Sequence, residues 1–126
     1  MIGSKYMKIL IVDDEVELAQ VFEMALKGAG YEVKIAINGK SALDMAKAEM
    51  FDLIMLDQMM PDMSGNEVLK ALKADPATAN TKIAMLTNFG HDTMVKEALF
   101  AGAVDYILKY QVSGDDIVTK VKSLVG

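Results

Sequence analysis

The chain has 126 residues, 52% of them hydrophobic, and a formal net charge of −5. That length and apolar content suit one domain with a real core rather than a disordered segment. With no cysteine there is no disulfide, thiolate chemistry or zinc–thiolate site; with no basic run, direct binding of DNA or RNA is disfavoured. No apolar stretch approaches the roughly 20 residues that span a bilayer, so membrane insertion is not expected and a cytoplasmic location is the simple reading.

Residues 1–6 read as a short overhang before a single domain spanning 1–126. Residues 8–12 form a first continuous apolar run, the pattern of a strand buried on both faces. A helix follows, with Leu18, Val21, Phe22, Ala25 and Leu26 spaced for its inner face. Asp14 or Glu15 is placed to cap its start, and Gly28 and Gly30 mark its end. A second strand over 33–37 closes on Asn38-Gly39, and the spacing of Ala42, Leu43 and Ala46 predicts a helix over 40–49. The third strand, 53–56, leads into a loop over 57–65 that holds Pro61 and Gly65. A helix over 66–74 turns Val68, Leu69 and Leu72 inward and breaks at Asp75-Pro76. The fourth strand covers 82–86, and a helix over 93–101 carries Val95, Ala98 and Leu99 before Gly102. The fifth strand, 105–108, precedes a last helix over 114–125 with Ile117, Val121 and Leu124 inside. The eleven methionines are expected mainly to fill the core. His91, the one histidine, reads as an exposed helix-start residue.

Five strands alternating with five helices predict an α/β fold with a doubly wound parallel sheet. In such sheets the ligand site lies beyond the carboxyl ends of the strands, where strand order reverses. For the order 2-1-3-4-5 that point falls between strands one and three. Those two strands end on Asp13-Asp14 and on Asp57, while strands four and five end on Thr87 and Lys109. Clustered carboxylates repel, and a hard divalent cation with oxygen ligands, Mg²⁺ above all, relieves the strain. A carboxylate can also be a nucleophile toward phosphorus. Lys109 would supply positive charge to the phosphoryl oxygens and Thr87 a directional hydrogen bond.

These residues, in order, resemble a response-regulator receiver domain, the CheY-like phosphoacceptor module of two-component signalling. The resemblance covers nearly the whole chain. It is carried by Val12-Asp13-Asp14-Glu15, the loop from Asp57 through Met59, Pro61 and Ser64-Gly65, Thr87 and Lys109. It implies a flavodoxin-like (βα)5 fold and a signalling switch rather than a metabolic enzyme, one that assists its own phosphorylation and dephosphorylation. Asp57 would accept phosphoryl from a histidine kinase or phosphotransfer protein. Asp14 would ligate Mg²⁺ directly, Asp13 largely through water, and the backbone carbonyl of Met59 would join Asp57 among the ligands. Lys109 would pair with the phosphoryl group and Thr87 would move to hydrogen-bond it. Tyr106 would turn inward and alter a protein-binding face, signalling to an output protein that the sequence does not identify. The resemblance leaves open a monomer or a phosphorylation-dependent homodimer, and a free-standing domain or part of a larger regulator.

Three departures from the family pattern bear on the site. Tyr110 follows Lys109 where proline and a cis peptide are usual. Asn88 stands in place of a small residue after Thr87 and is expected to narrow the entrance to Asp57. Met59 and Phe89 are bulky and apolar, and are expected to exclude the water that would hydrolyse a phosphoaspartate. Of the rival readings, a dehalogenase-type phosphatase wants Asp-x-Asp after strand one, and an FMN binder wants a Ser/Thr/Gly-rich loop there; Asp13-Asp14-Glu15 fits neither. The remaining alternative is a receiver-like interaction module that works without phosphate.

Overall fold

Short runs of Ile, Leu, Val and Met cannot satisfy two apolar faces unless both are covered, and here helices cover both. The computed structural model describes residues 6–88 and 93–125. In chain order it contains β1 (Lys8–Val12), α1 (Val16–Gly28), β2 (Glu32–Ala36), α2 (Gly39–Ala48) and β3 (Leu53–Asp57). Then come α3 (Gly65–Ala74), β4 (Lys82–Thr87), α4 (Thr93–Phe100), β5 (Asp105–Leu108) and α5 (Gly114–Val125). The strands form one sheet in the order β2-β1-β3-β4-β5, and every pairing is parallel. The expected fold class, topology and order are all present.

The pleat divides the core. Ile9 and Ile11 of β1 point to one face, where Phe22 and Leu26 of α1 and Ile117 and Val121 of α5 cover them. Leu10 and Val12 point to the other, under Ala42 of α2, Val68 and Leu69 of α3, and Ala98 of α4. β3, central in the sheet, is buried along its whole length.

Local chemistry sets the helix starts on the site side. Asn38 accepts from Ser41 N at 2.8 Å, while the Asp62 carboxylate accepts from Gly39 N at 2.9 Å and Lys40 N at 3.0 Å. α2 is therefore held by its own cap and by the loop after β3, and these hydrogen bonds hold Asp62 below the usual carboxylate range. Ser64 and Glu67 form a reciprocal capping box at α3, a device worth about 1 kcal/mol. Gly30, at φ +100°, supplies the left-handed turn that ends α1.

Several expectations are corrected. β3 and β4 each run one residue further than predicted and take in Asp57 and Thr87 themselves. Val21 and Leu99 are exposed. Each sits one residue from a buried neighbour, Phe22 or Ala98, a turn of about 100° that carries it past the rim of the covered stripe. Ala19 takes the inner position instead. The methionine expectation holds for Met55 and Met85, but Met7, Met24, Met50 and Met59 are exposed because they lie on outer helix faces or in loops. Glu15 occupies the α1 N-cap position but makes no side-chain cap; its carboxylate is engaged elsewhere. No peptide bond among the described residues is cis, the one between Lys109 and Tyr110 included. The expectations for Phe89, His91 and residues 1–5 fall outside the described residues. Among the described residues, no helix is long and apolar enough to cross a membrane.

Candidate functional site

Register delivers the site. Val12 pairs with Leu56, so Asp13 and Asp57 leave neighbouring strands side by side. Asp57 pairs with Leu86, which sets Thr87 one step beyond it, and Thr87 pairs with Leu108, which does the same for Lys109. Two backbone bonds extend the ladder past the strand ends: Gln58 N donates to Leu86 O at 3.3 Å, and Lys109 N to Thr87 O at 2.9 Å. Gly65 closes the loop from behind, its N–H donating to Gln58 O at 2.8 Å. A Cβ there would lie 2.3 Å from the Asp57 carbonyl oxygen, so only glycine permits this approach.

One carboxylate oxygen from each of Asp13, Asp14 and Asp57 lies within 4.8 Å of the others. Asp13 is 0% exposed and Asp57 5%, while Asp14 faces solvent. Lys109, itself only 2% exposed, places Nζ 2.8 Å from Asp13 Oδ2, 2.7 Å from Glu15 Oε1 and 3.2 Å from Asp57 Oδ1. Asp13 Oδ1 accepts from Glu15 N at 2.9 Å. Its Oδ2 meets Lys109 as a charge contact without an aligned hydrogen bond. Tyr110 OH donates to Glu15 Oε2, and the Tyr110 ring centroid is 5.6 Å from Lys109 Nζ. A cavity of about 430 Å³ opens on this cluster, lined by Asp14, Asp57, Gln58, Thr87 and Lys109 among others.

Burial decides the electrostatics. Desolvation, then repulsion from Asp13, pushes Asp57 up to about 7, and Lys109 offsets only part of this. Burial likewise raises Asp13, against the opposing pull of the close Lys109 ammonium. Burial alone would lower Lys109, but its close contacts with Asp13 and Glu15 and the charge of Asp57 outweigh it, and the ammonium is raised. Glu15, exposed, goes the other way: hydrogen bonds from Lys109 and then Tyr110 lower it. The metal-free site thus crowds more negative charge than one lysine neutralises. A buried carboxylate oxygen without an aligned donor, beside two further carboxylates, is the donor set a hard divalent cation takes.

All of the expected acidic and basic residues meet in this volume. Thr87 is buried and lines the cavity. Asn88 and the Met59 side chain are exposed at its rim. Met59 pairs with Ser64 through an isolated antiparallel bridge. Tyr106 is half-buried against the core on the α2–α3 side. The sequence pattern gives neither Glu15 a contact with Lys109 nor Tyr110 a contact with Glu15. The available signal was charge arithmetic: three consecutive acids, Asp13-Asp14-Glu15, face one lysine.

An open α/β sheet with an acidic, phosphate-compatible cluster at its switch point defines the class. The family model for the response regulator receiver domain matches residues 9–122, and the chain belongs to that family, the phosphoacceptor module of two-component signalling. It is 39% identical over 102 residues to the transcriptional regulatory protein ZraR of Salmonella typhimurium, covering 80% of this chain and 22% of that protein. The chain therefore spans about a fifth of that relative's length. Among solved structures, the chemotaxis response regulator CheY4 of Vibrio cholerae superposes with a TM-score of 0.89 at 31% identity, covering 95% of this chain and 99% of that one. A Burkholderia pseudomallei response regulator, solved with a phosphorylated aspartic acid, a calcium ion and citrate, gives 0.81 at 25% identity, covering 95% and 66%. As a receiver domain the chain is a signalling switch.

Proposed function

We propose that this chain, as one receiver domain, switches when Asp57 takes a phosphoryl group from the phosphohistidine of a histidine kinase or phosphotransfer protein. The observation that carries the reading is the Asp57 carboxylate itself: buried at a strand end, raised to about 7, and in reach of one ammonium. Ionised, an Asp57 oxygen attacks phosphorus; the P–N bond breaks and its electron pair returns to the imidazole nitrogen, leaving an acyl phosphate. Lys109 pairs with the new phosphoryl oxygens, and Thr87 donates its hydroxyl to one of them. Asp13, Asp14, Asp57 and the Met59 carbonyl would hold Mg²⁺. When bound, Mg²⁺ neutralises charge on the phosphoryl oxygens. The phosphorylated aspartic acid and calcium ion in the Burkholderia pseudomallei relative support this assignment.

The switch output follows from Thr87. Its movement toward the phosphoryl group draws Tyr106, at the far side of β4, inward and changes the face that an output protein binds. The intact acceptor, acidic cluster and lysine argue against a module that works without phosphate. Intact mass after incubation with acetyl phosphate or phosphoramidate and Mg²⁺ tests the reading. One added phosphoryl is expected, absent in Asp57→Asn and in chelator. An adduct that survives Asp57→Asn, or none in the parent chain, overturns it.

A further inference from the structure

We propose that Glu15 and Tyr110 form a resting latch on Lys109, which makes Tyr110 a positioning residue for phosphoryl transfer; the proposal rests on the receiver reading above. An ammonium has three donors, and here three carboxylates surround it. A phosphoryl group arriving at Asp57 needs a share of them. Lys109 Nζ lies closer to Glu15, at 2.7 Å, than to Asp57, at 3.2 Å, so the resting ammonium leans away from the acceptor.

Glu15 is the partner that can let go. Its side chain is 45% exposed, against 0% for Asp13 and 8% for Asp57, so water can replace the ammonium there at least cost. Nothing in α1 holds its carboxylate, because Glu15 makes no helix cap. What holds it is Tyr110. The phenol OH donates to Oε2 while Oε1 takes Lys109, and the ring lies beside the same ammonium. Glu15 and Tyr110 are 95 positions apart, so this one contact ties the turn after β1 to the turn after β5 across the mouth of the site.

Tyr110→Phe keeps the ring and removes only the donor. Glu15 then loses its anchor and Lys109 shifts toward Asp57. Phosphorylation by phosphoramidate with Mg²⁺ is expected to speed up about two- to tenfold, the factor one exposed hydrogen bond supports. Glu15→Gln should act in the same direction. The double variant should be no faster than the faster single one, because both break one link. A second readout needs no phosphate: the ¹⁵Nζ resonance of Lys109 in the metal-free protein should move in Tyr110→Phe. A faster rate together with a shifted Lys109 signal supports the latch. An unchanged Lys109 signal, a slower rate or additive variants overturn it. If the parent chain takes no phosphoryl group, the receiver reading fails by itself, and the Lys109 signal alone then decides: a shift supports the contact, and no shift overturns it.

Discussion

At the amino end of the sheet, Lys8 and Lys34 close on Glu49; at the carboxyl end, Lys109 closes on Asp13, Glu15 and Asp57. The groups are the same and the contact distances similar. Yet a lysine hydrogen bond lowers Glu49, whereas Asp57, beside its own lysine, rises to about 7. The difference is water. The amino-end side chains are 32%, 53% and 24% exposed, so opposite charge decides the sign. At the carboxyl end Asp57 and Asp13 are buried at the strand ends, and desolvation outweighs the lysine. Glu15 sharpens the point, for it shares Lys109 with Asp57, stays exposed, and is lowered. Burial thus leaves the carboxyl-end cluster with charge its lysine does not compensate, which the more exposed amino-end cluster does not carry.

The largest expected break in this contrast is Lys109→Ala. It strands two buried carboxylates and should cost about 3–5 kcal/mol in urea unfolding at pH 8 without metal. Much of that loss should return at pH 5, where Asp57 takes a proton. A flat cost across pH would show that the cluster is not charge-limited.

Asp57→Asn comes next and has the opposite sign. Folded Asp57 ionises near 7 and unfolded aspartate near 3.8, so the folded state holds the extra proton between those values. Metal-free stability should therefore fall as pH rises from about 4 to about 7 and stay low above that. Asp57→Asn removes the penalty, a gain of roughly 2–4 kcal/mol at pH 8, at about 1.4 kcal/mol per pH unit. Thermal unfolding at pH 8 and pH 4 checks it, with the gain fading at the lower pH. Mg²⁺ should stabilise the parent chain at pH 8 and the variant far less.

Gly65→Ala tests the loop that follows Asp57 and packs back on its backbone. Its new Cβ would meet the Asp57 carbonyl oxygen at 2.3 Å and Gln58 Cα at 2.9 Å, both backbone atoms that cannot move aside. A cost of about 1–3 kcal/mol is expected, with loss of the phosphoryl adduct by intact mass. The smallest effect belongs to the amino end: Lys34→Ala should change stability by less than about 1 kcal/mol and leave phosphorylation rates as they were. A rate change there would mean that the two ends are coupled.

Short-range pattern carried much of this molecule. Apolar runs that stop on Asp13, Asp57, Thr87 and Lys109 marked both the strands and the chemistry, because a strand buried on both faces stays apolar until it reaches the carboxyl edge of the sheet, where the polar site lies. Alternation of strand and helix pointed to the parallel sheet, while the side-by-side placement of Asp13 and Asp57 rests on the β1–β3 adjacency that the structure shows. What lay beyond reach were pairings at long separation. Asp62 holds the start of α2 more than twenty positions earlier, and Glu15 turns from its helix to Lys109 and Tyr110. No periodicity encodes either contact, since each depends on loops brought together only when the sheet closes. The sign of the Asp57 shift belongs to the same class. The sequence names the charges, but how much water each keeps is decided by what the fold lays over it.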